Sequence, residues 1–493
     1  MPIFYKPNIS DEQYKIEQIK FVSDYSGSSY LLLLSMFVIN IYLNYFHHLL
    51  HHYFPVLHSH FMIYILSDLF ISIPAILIPM FFSSIVYPLV IILTLIYLIV
   101  CYHYPKRQSP TIYPVISVGF VEFRSMINLW TLIAILAVDF HIFPRMHTKS
   151  EFYGLSLMDT GVGAIVVCSG VAAGLKENQT PYFKNLISNV IHSLPFFIIG
   201  FIRLFATSIT GYQHHISEYG MHMNFFFVLG FVQILTSLIN SSRKYCGIVS
   251  IILIIGYEII LQYFDLYNYS LTADRMSNLF AANREGFLSI IGYTAIQIAS
   301  TAMGYYYTLG CTKQYRFKLD VIIVIIAFIG YIAYEVISIY IPPCRPLINL
   351  TYFIALMSQM MICYAICDVI PMYLPVKQTA GSNGLSLNQL PLFLIANVIT
   401  GVVNLLFYTL YVPTIDSIVI IFIYIAIVRV MAFCLGYFHI TFKIQSMQLV
   451  ILNDDYRTPY KSYSLFGFLQ YFKSLKLQLN SSNEKKINQN KIN

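Results

Sequence analysis

Residues 84–103 read SIVYPLVIILTLIYLIVCYH, a stretch of twenty residues without Asp, Glu, Lys or Arg. A membrane-spanning helix needs about 20 mostly apolar residues, because it rises about 1.5 Å per residue across a hydrocarbon layer about 30 Å thick. Thirteen such segments are found, centred on 29–46, 61–79, 84–103, 123–143, 155–175, 185–206, 222–240, 245–264, 286–308, 319–341, 348–370, 390–412 and 416–438. The sequence therefore predicts an all-α, polytopic membrane protein with about thirteen transmembrane helices.

The composition indicates that a bilayer, and not water, is the solvent of this chain. Of its 493 residues, 29 are Lys or Arg and 22 are Asp or Glu, so that 10% are charged, whereas soluble domains carry about 25%. The net charge of +7 does not indicate a nucleic-acid partner, because the basic residues are scattered or lie in the C-terminal tail and form no single basic face. We therefore expect membrane lipids around the chain and no nucleic acid.

The distribution of charge along the chain predicts its organisation. We divide it into a polar N-terminal tail at 1–28, a multi-pass transmembrane domain at 29–438 and a basic, Asn- and Lys-rich C-terminal tail at 439–493. The loops on the side of the C-terminus carry ten Lys and Arg, and those on the other side carry five. Cytosolic loops are enriched in these residues. The C-terminus is thus predicted to be cytosolic and the N-terminus to lie on the opposite side.

Neither the cysteines nor the histidines predict a metal site. Cys363 and Cys367 lie four residues apart in an apolar segment and the other six cysteines are isolated, which is typical of small core residues. The histidine-rich run from His47 to His60 lies at a span boundary with no carboxylate or cysteine nearby in sequence. We interpret it as an interfacial loop, with metal binding as the less favoured alternative.

A cluster of charges at the end of the fourth predicted span is the first candidate site. Ionisable residues in apolar segments cost a few kcal/mol and normally face a partner, a cavity or a functional site. Apolar neighbours would raise the pKa of Asp139, and a cation beside it would lower it again. Pro144 interrupts the helix, so that Lys149 can return towards Asp139. This pattern favours Asp139 as a general base and Lys149 as an oxyanion donor, with a buried salt bridge as the alternative.

Three further polar segments border or enter the spans. They are the run from Gly211 to Asn224, the run from Ala282 to Gly286, and a span in which Asn397 and Asn404 lie seven residues apart. A spacing of seven places the two amides on one helix face. On residue chemistry alone, a transporter fits these segments as well as an enzyme does.

Ordered motifs between about residues 120 and 410 carry a family resemblance. They are Leu136-Ala-Val-Asp139-Phe with Phe143-Pro-Arg145 and Lys149; Ser156-Leu-Met-Asp159-Thr-Gly161; Gly211-Tyr-Gln with His215, Ser217-Glu218-Tyr-Gly220, His222 and Asn224; Asn283-Arg-Glu-Gly286; Arg345 with Asn349-Leu; and Asn388-Gln-Leu-Pro391 with Asn397 and Asn404. In this order they resemble the glycosylphosphatidylinositol (GPI) anchor inositol acyltransferases of the endoplasmic reticulum.

The resemblance implies an activity. Members of the family move a long acyl chain, typically palmitoyl, from acyl-CoA to the inositol hydroxyl of glucosaminyl-phosphatidylinositol. It implies acyl-CoA as a co-substrate, no permanently bound cofactor, and an endoplasmic reticulum membrane location, in which the N-terminus predicted from the charge count would be lumenal. The alternative is a multi-pass lipid or ion-coupled transporter or flippase. Such transporters often contain internal repeats, and no second copy of the 139–163 or 211–226 pattern is found.

Residue roles follow as expectations. Asp139 and Lys149 are the catalytic candidates. Arg145, Arg203 and Arg284 are candidates for phosphate groups, because guanidinium groups suit phosphate, with ion pairs to Asp159, Glu218 or Glu285 as the alternative. The complete set of substrate-binding candidates is Arg145, Asp159, Arg203, Tyr212, His215, Glu218, His222, Asn224, Asn283, Arg284, Glu285, Asn397 and Asn404.

Overall fold

The structure is a computed structural model that describes most of residues 4–464. The residues outside the description within that range are 8, 24, 59, 104–115, 177–181, 211–215, 240–241, 377, 444–447 and 453–458. Tyr212 and His215, two of the substrate-binding candidates, lie outside the described residues.

Helices dominate the described part of the chain. In chain order they are α1 Asp11–Val22, α2 Tyr30–Tyr53, α3 Phe61–Phe81, α4 Val86–His103, α5 Val118–Ala137, α6 Leu157–Gly174, α7 Tyr182–Thr210, α8 Ile216–Tyr219, α9 Phe225–Ile239, α10 Cys246–Tyr263, α11 Leu266–Thr272, α12 Leu279–Ala282, α13 Arg284–Thr308, α14 Lys313–Ile337, α15 Leu350–Tyr373, α16 Ala380–Leu387, α17 Gln389–Leu406 and α18 Thr414–Tyr437.

The prediction of an all-α polytopic membrane protein is confirmed. In the described residues, twelve helices are long and apolar enough to cross a membrane. The predicted span at 222–240 corresponds to α9, an apolar helix of 15 residues, which is shorter than the roughly 20 residues of a typical span. The thirteen segments counted in the sequence thus appear as twelve long helices and one short one.

A small sheet follows the last helix. Strands β1 Ile440–Lys443, β2 Gln448–Leu452 and β3 Pro459–Ser464 pair antiparallel in the order β1-β2-β3, with Ile440 opposite Ile451. Asn388, which lies between α16 and α17, donates to the carbonyl of Ile440 at 3.0 Å and accepts from the backbone of Phe442 at 2.8 Å. The amide of Asn388 therefore joins the sheet to the helix bundle.

Close contact between α6 and α13 forms the centre of the bundle. A Cβ atom on Gly174 would meet the backbone of Thr301, and one on Gly304 would meet the backbone of Val171. Small residues allow the backbones of membrane helices to approach closely, which increases van der Waals packing where no hydrophobic effect drives association. A larger residue at either glycine would push the two helices apart.

The end of α5, the start of α6 and the end of α17 meet at one end of the bundle. The N-terminal segment crosses that end: the backbone of Ser28 donates to the carbonyl of Leu155 at 2.6 Å, and that of Phe4 donates to the carbonyl of Leu406 at 2.9 Å. The loop between α5 and α6 is therefore enclosed by packed chain on several sides.

The histidine-rich run lies at the opposite end, and its interpretation as an interfacial loop is wrong for its first members. His47 and His48 belong to α2 and are 1% and 2% exposed. The Nε2 atom of His48 lies 3.1 Å from a carboxylate oxygen of Glu122 on α5. That contact joins residues 74 positions apart, and sequence spacing does not reveal it. Among the described residues, no group of three or more His, Cys, Asp or Glu is arranged to hold a metal ion.

Candidate active site at the mouth of an apolar cavity

The loop between α5 and α6 is organised by the guanidinium group of Arg145. It donates to the carbonyls of Val138 at 3.0 Å, Phe140 at 2.9 Å and Phe143 at 2.7 Å, and it lies 3.9 Å from the ring centroid of Phe21. The carbonyls at the C-terminal end of a helix lack intrahelical donors and carry partial negative charge, which a cation stabilises. The structure therefore places Arg145 in the framework of the loop, with its donors directed at the backbone.

Asp159 holds the other end of the same loop. It is fully buried, and its carboxylate accepts from the hydroxyl of Ser150 at 2.8 Å and from the backbone of Ser156 at 2.9 Å. The hydroxyl of Ser156 in turn accepts from the backbone of Asp159 at 3.1 Å, which completes a capping box at the start of α6. Through these bonds Asp159 caps the start of α6 and holds the preceding 149–156 segment in place.

Asp139 lies two residues beyond the end of α5 and is half-buried. The Nδ2 atom of Asn404, near the end of α17, donates to its carboxylate at 2.8 Å. Burial raises the pKa of Asp139 to about 6, against the hydrogen bond from Asn404 and the positive charges of Arg145 and Lys149, which lower it. A carboxyl group with a pKa near 6 is largely ionised at neutral pH and accepts a proton more readily than an ordinary Asp does.

Lys149 forms its ion pair with Glu218 and not with Asp139. Arg345 lies on the other side of Glu218, with Nη2 3.8 Å from the second carboxylate oxygen, and it donates to the hydroxyl of Tyr219 at 3.2 Å. The side chain of Arg345 is 3% exposed and that of Lys149 is 35% exposed. Lys149 is thus the accessible cation of the group, and its positive charge still lowers the pKa of Asp139.

A cavity of about 120 Å³ lies between α5, α6 and α17 and is partly open to the surroundings. Its walls are mostly apolar and include Ile127, Trp130, Ile135, Leu157, Ile165 and Phe393. Such a space accepts a hydrocarbon chain, because burial of apolar surface is favourable.

The mouth of the cavity is positively charged. Among the described residues that line it, Lys149, Arg203 and Arg345 are cationic and Glu218 is the one carboxylate. Asn397 also lines the cavity, two turns of α17 below Asn404. The amide face of α17 therefore extends from the cavity wall to Asp139, which does not line the cavity itself and lies four residues after Ile135 on the cavity wall. An anionic group fits this end of the cavity better than a cation does.

The candidates at 283–285 stabilise neighbouring loops. Asn283 accepts from the backbone of His222 at 2.7 Å, Arg284 donates to the carbonyl of Ser270 at 2.8 Å, and Glu285 receives two bonds from Arg275 at 2.6 and 3.0 Å. Arg284 and Glu285 are each 2% exposed. All three side chains form hydrogen bonds within the protein, and none of them lines the cavity.

The polar run before α9 contributes one candidate side chain to the cavity mouth, the carboxylate of Glu218. Asn224 begins α9, accepting from the backbone of Phe226 at 3.0 Å, and it donates to the carbonyl of Gly200 on α7 at 2.9 Å. The ring of His222 lies against the amide of Asn283, with Nδ1 at 3.4 Å from Nδ2. Of the described candidates in this run, Glu218 is the residue that reaches the cavity.

Arg345 is a site residue that sequence reasoning missed. It lies between α14 and α15, after Pro342, Pro343 and Cys344, and the sequence shows it as a loop charge and as part of the Arg345…Asn349 motif, with no role assigned. Arg345 belongs to the site because it contacts Tyr219 and Glu218, which lie more than a hundred residues earlier in the chain. The available signals were that motif and its loop, which the charge count placed on the same side of the membrane as Arg145.

Fold and site together define a polytopic membrane protein with a half-buried carboxylate and a cationic group beside an apolar cavity. Its sequence matches the family described as GWT1 over residues 14–435, and the chain belongs to that family. It is 30% identical to the phosphatidylinositol-glycan biosynthesis class W protein of Dictyostelium discoideum over 66% of this chain and 75% of that protein. It is 33% identical to GPI-anchored wall transfer protein 1 of Schizosaccharomyces pombe over 66% of this chain and 74% of that protein. The family resemblance predicted from the motifs is confirmed.

Proposed function

We propose that this protein transfers a long-chain acyl group, with palmitoyl as the expected chain, from acyl-CoA to the inositol hydroxyl of glucosaminyl-phosphatidylinositol in GPI-anchor biosynthesis. The names of its relatives refer to GPI anchors and phosphatidylinositol-glycan biosynthesis. The observation that carries the proposal is the location of Asp139, a carboxyl group with a pKa raised to about 6, beside an apolar cavity with a cationic mouth. This arrangement favours acyl transfer over the alternative of a transporter.

The depth of the cavity supports a long acyl chain. Ile127, on its wall, lies ten residues before the end of α5, which corresponds to about 15 Å of helix. This is half of the roughly 30 Å hydrocarbon thickness of a bilayer, the depth of one leaflet. This depth supports a hydrocarbon chain that lies along the cavity with its thioester at the mouth.

The proposed reaction needs a base and a positive charge at the mouth. Asp139 takes the proton of the inositol hydroxyl as its oxygen attacks the thioester carbonyl, and the ammonium of Lys149 stabilises the tetrahedral oxyanion. The intermediate collapses, the carbon–sulfur bond breaks, and the CoA thiolate takes the proton from Asp139. That return is downhill, because a thiol has a pKa of about 8.5 and Asp139 has one of about 6.

The cationic side chains at the cavity mouth match the phosphate groups of the two substrates. Arg203 and Arg345 would hold phosphate groups of the lipid or of CoA, since guanidinium groups pair well with phosphate. When Lys149 moves to the oxyanion, Arg345, at 3.8 Å from Glu218, still neutralises that carboxylate. Acyl-CoA acts as a co-substrate, and no bound cofactor is required.

The names of the relatives support placement in the endoplasmic reticulum membrane. We propose a lumenal N-terminus and a cytosolic C-terminus. The excess of Lys and Arg in the loops on the C-terminal side supports this orientation. The test is a glycosylation acceptor introduced into the loop between α5 and α6. Modification in microsomes is expected, and its absence beside a working control acceptor would reverse the orientation.

An assay of the purified full-length protein tests the activity. It is supplied with glucosaminyl-phosphatidylinositol and radiolabelled palmitoyl-CoA in nanodiscs, and the lipids are separated. We expect an alkali-labile acyl ester on the inositol ring that depends on both substrates. Absence of this product with acyl-CoA of several chain lengths would contradict the proposed function.

A further inference from the structure

The deep end of the cavity is formed by one residue from each of three helices. They are Ile127 of α5, Ile165 of α6 and Phe393 of α17. Each lies furthest from the mouth among the cavity-lining residues of its helix, because α5 and α17 end at the mouth and α6 begins there. What lies immediately beyond these three side chains determines how far a hydrocarbon chain can extend.

A polar cluster lies one helical turn beyond them, on the same three helices. Arg124 precedes Ile127 by three residues, Cys168 follows Ile165 by three, and Gln389 precedes Phe393 by four. Residues three or four apart lie on the same face of a helix. The polar groups therefore lie directly beneath the apolar residues of the cavity end.

Hydrogen bonds hold this cluster across the helices. Arg124 donates from Nη2 to the side-chain oxygen of Gln389 at 3.0 Å, and Gln389 donates to the carbonyl of Arg124 at 3.4 Å. Cys168 is 1% exposed and its thiol lies beside the side chain of Gln389. The pair links α5 to α17 and lies against α6. In the described part of the chain, the Nε atom of Arg124 is buried and has no hydrogen-bond partner.

We infer that the Arg124–Gln389 pair is the floor of the acyl cavity and sets the maximum length of the acyl chain that the protein accepts. This inference rests on the proposed function and adds the determinant of chain length. A terminal methyl group offers no hydrogen bond, so that pushing it into the pair would separate a part-buried guanidinium from its partner. Chains that end above the pair bind, and longer ones are excluded or must bend.

The alternative is that the pair only joins α5 to α17. The two roles differ in one measurable quantity, the ratio of transfer rates for acyl chains of different length. Loss of a purely structural bond lowers the rates for all chain lengths together. Loss of a floor changes the ratio, because space is added at the end of the cavity and nowhere else.

The test measures transfer from C12, C16 and C20 acyl-CoA by the full-length protein in nanodiscs. Arg124→Ala removes the floor and is expected to raise the C20 to C16 rate ratio about tenfold, the order expected for burial of about two further methylene groups. Ile127→Phe fills the cavity end and is expected to raise the C12 to C16 ratio by a similar factor. Shifts in opposite directions from the two variants cannot come from loss of stability.

Asn128→Leu is the matched control. Asn128 neighbours Ile127 on α5, is 1% exposed and donates to the carbonyl of Leu385 at 3.1 Å, on α16. Its replacement also removes a buried polar group from α5, and an unchanged chain-length profile is expected. An unchanged C20 to C16 ratio in Arg124→Ala, or an equal shift in Asn128→Leu, would overturn the inference. If wild-type protein acylates no glycolipid at any chain length, the proposed function itself fails.

Discussion

Two groups of charged side chains lie at opposite ends of the helix bundle, and they differ in how completely they are paired. At one end, Asp68 and Arg429 form a two-point ion pair at 2.6 and 2.8 Å, and Arg429 also contacts the hydroxyl of Ser72 at 3.3 Å. Asp68 is 0% exposed and Arg429 is 2% exposed. This group is closed and the charges satisfy each other.

At the other end, the charges around the cavity mouth are unequal in number and partly accessible. Lys149 is 35% exposed, and three cations face one carboxylate among the described residues that line the cavity. Asp139 is held by an amide donor and not by a cation in direct contact. Burial of charge alone therefore does not distinguish an active site from a structural ion pair. What distinguishes the active site is a group of charges that are incompletely paired and lie beside a cavity.

Replacing the base should have the largest effect on catalysis. Asp139→Asn removes the proton acceptor and keeps the shape of the side chain. We expect the transfer rate, measured as acylated glycolipid per minute per folded protein, to fall about 10²- to 10⁴-fold. Retention of near-wild-type turnover would show that Asp139 is not the base.

Breaking the closed pair should affect stability instead. Asp68→Asn leaves Arg429 buried without its counter-charge, which typically costs about 3–5 kcal/mol. Thermal unfolding in detergent measures the loss. The double variant Asp68→Leu/Arg429→Met, which removes both charges, should recover much of it, whereas a double variant as unstable as the single one would contradict a purely structural pair.

Removing the positive charge of Lys149 should weaken stabilisation of the transition state. Lys149→Ala is expected to lower kcat about 10²- to 10³-fold, the range found for loss of an oxyanion donor. Glu218→Gln is the informative companion, because it frees Lys149 from its ion pair and keeps the ammonium. Equal losses in the two variants would assign Lys149 to the ion pair and not to the oxyanion.

The pH dependence gives the smallest expected effect. Asp139 must be ionised to act as a base, so kcat/KM should fall as the pH drops through about 6. Tyr14 and Tyr424 also interact electrostatically with this carboxylate, but neutral tyrosines do not titrate in this range.

Asn404→Leu removes the hydrogen bond that favours the ionised form of Asp139, so the acid limb should move to higher pH, by about one unit. Asn189→Leu on α7, a helix that does not contribute to this carboxylate, is the control and should leave the limb in place. An acid limb that stays in place in Asn404→Leu would show that this carboxylate does not control it.

The sequence predicted much of the fold and the location of the site, because both depend on local patterns. Apolar runs defined the spans, and Asp139 and Lys149 stood out as charges beside one of them. The partners could not be predicted, since Asn404 is 265 residues from Asp139 and Glu218 is 69 from Lys149. Such contacts depend on helix packing.

The same dependence on helix packing explains why the roles of Arg145 and Arg345 could not be predicted from the sequence. Arg145 appeared in the sequence as a candidate phosphate ligand, but its donors end on backbone carbonyls of its own loop. Arg345 received no role and lies at the cavity mouth. The direction of a long side chain is set by tertiary structure, so residue type and loop position alone did not separate the two.

The most direct test of the account compares Asp139→Asn with Asp68→Asn in one acyl-transfer assay, with rates normalised to folded protein. We expect Asp139→Asn to keep the thermal stability of the wild type and to lose at least about 10²-fold in rate, whereas Asp68→Asn should lose stability and keep the rate of its folded fraction. Equal rates per folded protein in the two variants would contradict the assignment of the open end as the active site.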